Sequence, residues 1–196
     1  MSAQDVSTLK GYFNTGDKPT ETQFANLIDS FPNLTDGGTF TGAITTASVT
    51  KGLVSITATD AITAAEHAGR TLVLNAANAG GTAVTLTLPA ATGTGNVYHF
   101  VVGIVSAMAG AYKIQVADAT DTIDGYIIAG NDDDATLSRH TTAADSDTIS
   151  LNGTTTGGVG IGDSITLIDI ASNQFIVTGT TIHNGSEATP FSAAVS

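Results

Sequence analysis

The chain has 196 residues, of which 12% are charged, and 18 Asp and Glu against 6 Lys and Arg give a formal net charge of −12. That balance excludes the broad positive footprint that nucleic acid or an anionic lipid surface demands, so direct binding to nucleic acid or membrane is not expected. With no cysteine, disulfides, zinc-thiolate sites, iron–sulfur ligation and a cysteine nucleophile are excluded as well.

A chain of this length suits one domain with a short accessory segment. No apolar run approaches the length of a membrane span. The opening MSAQDVSTLKGYF has no basic region followed by a long apolar core, so a cleaved secretory signal is not expected. The 22 glycines, with abundant Thr and Ala and no Trp, suit extended chain joined by turns.

Residues 1–32 read as a helical anchoring segment. In VSTLKGYFNTGDKPTETQFANLIDSF, Thr20 is placed to cap a helix whose first turn holds Glu21 and Gln23. Phe24, Leu27, Ile28 and Phe31 follow at helical spacing on one face, and Pro32 ends the run. Leu9, Tyr12 and Phe13 upstream complete a helical hairpin with an apolar side. That side either caps the sheet domain of its own chain or anchors on a neighbour, because helices this short are marginal without a docking surface. The candidate interface residues are therefore Tyr12, Phe13, Phe24, Leu27, Ile28 and Phe31.

Residues 33–52, rich in Gly and Thr, read as an extended linker or arm. From Leu53 onward LVSIT, RTLVLN, AVTLTL, VYHFVVGIV, YKIQV, IDGYII, TISLN, SITLIDI and QFIVTG are short runs, several alternating with period two. Glycine-rich and polar segments separate them, and helical spacing is confined to a turn at Thr63–His67. Strands without crossover helices argue against an α/β fold. The expectation for 53–180 is a mainly β domain, mostly antiparallel, as a sandwich or compact barrel of jelly-roll or tulip-like form. Residues 181–196 read as an extended C-terminal tail on which Phe191 is an anchor, the seventh candidate interface residue.

The motifs that carry chemistry elsewhere are incomplete here. TGTGN at 92–96 lacks dinucleotide-fingerprint spacing, a following helix and a phosphate-binding lysine. GGVGIGD at 157–163 fails likewise, because the strand SITLIDI follows it. Asp132, Asp133 and Asp134 offer oxygen ligands but lack the mid-loop glycine and terminal glutamate of the helix-loop-helix calcium pattern. They read as a solvated rim, with a weak cation site as the alternative. His67, His99, His140 and His183 are scattered, and His99 reads as a packed or edge-strand residue. Ser138, His140 and Asp145 can be drawn as a triad, yet no nucleophile elbow supports it. A glycan hydrolase would need Asp118, Asp121 and Asp124 gathered in a cleft. The sequons at Asn33 and Asn152 are expected to be unused. No catalytic residue, metal site or cofactor is expected.

The segment LKGYFNTGDKPTETQFANLIDSF resembles an N-terminal segment of fibre-like and virion-surface proteins of tailed bacteriophages, especially marine and cyanobacterial phages. GRTLVLNAANAGGTAVTLTLPAATGTGNVYHFVVG, followed by AYKIQVADATDTIDG, resembles a β-rich module of capsid decoration and tail-associated proteins. ITLIDIASNQFIVTGTTIHNGSEATPFS is similar to the end of the same class. The resemblance implies a homotrimeric or otherwise symmetric subunit that works without chemistry. Its implied place is the outer capsid surface, as a cement protein bridging the major capsid protein, with a tail-fibre or baseplate component in host attachment as the alternative.

Overall fold

Thr20 and Gln23 start the longer of two N-terminal helices by satisfying each other. The Thr20 N–H donates to Gln23 Oε1 at 2.7 Å, and the Gln23 N–H donates to Thr20 Oγ1 at 3.3 Å. This reciprocal cap is the one the sequence specifies, and it opens α2 (Glu21–Ser30) after α1 (Val6–Gly11). The helix is described as far as Ser30, two residues before Pro32. At its end the Ser30 hydroxyl donates to the Asn26 carbonyl and accepts the Gln4 N–H at 2.9 Å, fastening the preceding chain.

The computed structural model describes residues 4, 6–30, 52–75, 83–103, 111–132 and 136–195. The chain divides into two units, Met1–Val49 and Thr50–Ser196. The expected arm at 33–52, Gly52 apart, lies outside the described residues, as do Phe31, Asp133 and Asp134.

The second unit is built from β1 (Leu53–Ile56), β2 (Asp60–Ala61), the single-turn α3 (Ala64–His67), β3 (Thr71–Leu74), β4 (Val84–Thr87), β5 (Val97–Val102) and β6 (Tyr112–Gln115). It continues with β7 (Thr122–Asn131), β8 (Leu137–Thr141), β9 (Thr148–Leu151), β10 (Ser164–Ala171), β11 (Gln174–His183) and β12 (Phe191–Ser192). A seven-stranded sheet has the order β1-β3-β5-β10-β11-β7-β8, and a five-stranded sheet the order β12-β9-β6-β4-β2. Alternation along most of the strands, as in β3, β4, β5 and β6, sends every second side chain inward. Leu72, Leu74, Phe100, Leu167, Phe175 and Val177 from the larger sheet join Leu86, Ile114, Ile149 and Leu151 from the smaller in one buried cluster. The architecture is a mainly β sandwich, as its composition and periodicity lead one to expect.

Strand direction departs from the antiparallel jelly-roll form. β1, β3 and β5 run parallel in one sheet, and β2, β4 and β6 run parallel in the other. Successive strands alternate between the sheets, so the chain winds as a two-sheet coil. Parallel neighbours need a long crossover, usually a helix; here the crossover is a strand of the opposite sheet, which is why the lack of helices misleads about direction. The same sequence offset separates Thr71 from His99 and Val84 from Tyr112. Leu72 and Phe100, Leu74 and Val102, and Leu86 and Ile114 therefore stack inward in pairs.

Beyond the coil, β10 pairs antiparallel with β5 and β11, while β7 lies parallel to β11 and antiparallel to β8. The acidic stretch 118–147 contains the antiparallel pair β7–β8. The C-terminal segment is a correction: 181–196 is no extended tail. β11 runs through to His183, and β12 pairs with β9, with Phe191 opposite Ile149. Phe191 is only 8% exposed and belongs to the core of its own chain, because strand pairing seats it between polar neighbours that the sequence alone makes look solvated.

Candidate functional site

The helical unit carries most of the candidate interface. Phe13 and Phe24 meet edge to face, with ring centroids 5.9 Å apart, yet stay 46% and 48% exposed. Ile28, one turn beyond Phe24, is 70% exposed. Tyr12 and Leu27 are half-buried, and the Tyr12 hydroxyl accepts a bond from Asn26 Nδ2 at 3.4 Å. No residue of α2 is fully buried. The helices thus gather Tyr12, Phe13, Phe24, Leu27 and Ile28, and three of the five remain on the surface. Phe191, in the sandwich core, is not part of this face.

In the second unit the buried carboxylates hold loops. Asp169, at the end of β10, accepts the N–H groups of Thr92 (3.0 Å), Gly93 (2.6 Å) and Thr94 (3.1 Å) and the Thr94 hydroxyl (2.6 Å). The TGTGN loop does cradle an anion, and the anion is the chain's own side chain. Burial pushes the Asp169 carboxyl up, but the bonds from Thr94, Gly93 and Thr92 outweigh it and hold the group below the usual carboxylate range.

At the other end of the same strand, Asp163 accepts the N–H groups of Gly158 at 2.7 Å and Ile182 at 2.9 Å, closing the GGVGIG loop. Burial dominates there and raises its carboxyl, against the pull of the Ile182 and Gly158 N–H groups and of His183. Asp147 takes the N–H groups of Ala194 and Val195 at 2.8 and 3.1 Å. Asp121 takes that of Ala91 at 3.1 Å, and burial raises its carboxyl too.

The carboxylates a glycan hydrolase would need are separately engaged. Asp118 caps the turn at Thr120, Asp121 holds Ala91, and Asp124 accepts from Gln174 Nε2 at 2.8 Å. Asp132 stands exposed at the end of β7, its N–H donating to the His183 carbonyl. Among the described residues no group of three His, Asp or Glu side chains is arranged to hold a metal ion.

The histidines divide. His67 Nδ1 accepts the Thr63 N–H at 3.0 Å, and His99, on a central strand instead of an edge, lies 2.9 Å from Thr166 Oγ1. His140 and His183 converge on a residue that sequence reasoning missed, Glu187. His140 Nε2 lies 2.7 Å and His183 Nε2 3.5 Å from Glu187 Oε1, while the Ser138 hydroxyl donates to Glu187 Oε2. The acid beside His140 is thus Glu187, not Asp145. The serine bonds the carboxylate and not the imidazole, so no base is aimed at Ser138 and the triad is not assembled. The Ser138 bond holds the Glu187 carboxyl below its usual range against burial, with His140 and His183 assisting.

Nearby, Ile128, Leu137, Ile161, Asp163 and Ile182 line an open, mainly apolar groove of about 440 Å³. Among the described residues no helix is long and apolar enough to cross a membrane. No family model matches the chain, and no curated protein or solved structure matches it either.

Proposed function

We propose that this protein is a non-enzymatic structural subunit of a phage virion, acting as a capsid decoration, or cement, protein that bridges major capsid subunits as a homotrimer. The observation that carries the reading is the helical unit, in which no described residue is fully buried and Phe13, Phe24 and Ile28 face outward. Two helices of six and ten residues are too short to persist alone in water. A surface that covers this apolar face supplies the missing stabilisation, and attachment restricted to the assembled shell stabilises the shell by linkage. The engagement of Asp121, Asp147, Asp163 and Asp169 by backbone N–H groups supports a role without chemistry, since groups that hold loops are not free to transfer protons to a substrate.

One observation favours a second reading, a tail-fibre or baseplate component in host attachment: the strands wind as a parallel two-sheet coil whose second and third turns share one sequence offset, as the repeats of fibre shafts do. A reconstruction of the intact virion separates the two. The cement reading places density over junctions between capsomers with the helical unit against the shell; density confined to the tail overturns it. Deleting residues 1–32 is expected to leave a folded β unit, which has its own core, but to abolish attachment to particles. Full occupancy by the truncated chain refutes an anchoring role.

A further inference from the structure

The chain holds two Asn-Gly pairs, Asn152-Gly153 and Asn184-Gly185, and the fold treats them oppositely. Their backbones match: φ is +71 at Gly153 and +72 at Gly185. They are also neighbours, since the Asn184 N–H donates to the Thr154 carbonyl at 3.1 Å. Their bonding differs. Asn152 Oδ1 accepts the N–H groups of Thr154 at 2.9 Å and Thr156 at 3.0 Å and the Thr154 hydroxyl at 3.1 Å, while Asn152 Nδ2 donates to Thr155 Oγ1 at 3.0 Å. Gly153 is buried, and its N–H donates to the Gly157 carbonyl at 2.9 Å. Among the described residues, neither the Asn184 side chain nor the Gly185 N–H makes a hydrogen bond. Gly185 is exposed, and nothing lies within 4 Å of where a Cβ would stand.

We propose that Asn184 is a modification site at which the chain converts itself, without an enzyme, to aspartate and isoaspartate, while Asn152 is shielded by the fold. The Gly185 nitrogen gives up its proton and attacks the Asn184 side-chain carbonyl carbon, with no Cβ on the glycine to obstruct the approach. A ring C–N bond forms, the bond to the side-chain amide nitrogen breaks, and ammonia leaves with a proton equivalent to the one given up. Water then opens the succinimide at either carbonyl, giving aspartate or isoaspartate. Both reacting groups are available at Asn184. At Asn152 the carbonyl is held by three donors and the glycine nitrogen by Gly157, so reaction there must wait for a local opening. The product adds a negative charge three residues before Glu187. Its isoaspartyl form also lengthens by one carbon the backbone of the loop that leads to β12, whose Phe191 enters the core.

Incubating the full chain in mildly alkaline buffer, with peptide mapping by mass spectrometry at intervals, tests the proposal; methylation by an isoaspartyl methyltransferase reports the isoaspartyl product. Conversion at Asn184 is expected to exceed that at Asn152 by more than about tenfold, because several hydrogen bonds must open together at the second site. In concentrated urea the two sites are expected to react at comparable rates. Asn184→Gln is expected to remove the product in the folded chain. An intact Asn184, or equal conversion of both asparagines in the folded chain, overturns the proposal. A preference for Asn184 that persists undiminished in urea overturns it too, since the difference would then belong to the flanking sequence and not to the fold.

Discussion

Replacing Gly125 with alanine is expected to prevent stable folding of the β unit. Gly125 sits within β7 at φ +139, directly opposite Val177 of the parallel strand β11. A Cβ built there would lie 2.2 Å from the Val177 carbonyl oxygen and 3.1 Å from its carbon. Both are backbone atoms in the middle of the most extensive parallel pairing of the sheet, so no side-chain rotation relieves the overlap. Moving the strand would also break the bonds that tie the Gly125 N–H to Thr142 Oγ1 and the Thr142 N–H to the Gly125 carbonyl. The cost is expected to exceed about 4 kcal/mol, a large share of the stability of a typical domain. Gly185 is the control: its φ is also positive, at +72, but nothing lies within 4 Å of its added Cβ. Gly185→Ala is expected to cost only about 1–2 kcal/mol, the left-handed penalty. Urea midpoints of the two variants measure the contrast; equal midpoints would mean that the strands part easily at Gly125.

Asp169→Ala is expected to destabilise the same unit by about 3 kcal/mol, because it strands three backbone donors and the Thr94 hydroxyl around a buried gap. Asp169→Asn keeps one acceptor oxygen and is expected to cost roughly half as much. The substitution also has a pH signature. A carboxyl held below its ordinary range in the folded state contributes stability that is present above the unfolded value and lost as pH falls through the folded one. Asp163 and Asp121 have the opposite sign: their raised carboxyls bind protons more readily when folded, so acidification relieves their burial cost. Asp169→Asn should therefore flatten the loss of stability below the ordinary carboxylate range and leave the relief from Asp163 and Asp121 exposed. Denaturant midpoints from pH 7 downward for the natural chain and the variant give the comparison. An unchanged acid limb would show that Asp169 does not govern it.

The parts of this architecture legible in the sequence are those that depend on near neighbours. Thr20 and Gln23 specify the start of α2 because a capping box is complete within one turn. The strands are legible because inward and outward residues alternate, as in Tyr98, Phe100 and Val102 of β5. Strand direction was hidden, since it depends on where a chain returns after visiting the other sheet. The buried aspartates were hidden for the same reason: Asp169 meets Thr92–Thr94, and Asp147 meets Ala194 and Val195, across long stretches of chain. The one local hint is that DSITLID carries an aspartate at each end of an apolar strand, the first of them closing the GGVGIGD run. Glu187 offered no hint, because GSEATP looks like any solvated turn.

The constant offset between the second and third turns of the coil makes the molecule extensible. An in-frame copy of the stretch 71–98 would begin with a strand in phase with His99, Phe100 and Val101, and each copied Leu72 and Leu86 would fall over an existing inward residue. Gene duplication could thus lengthen both sheets together without inverting a single face, whereas a shift of one residue would turn every apolar side chain outward.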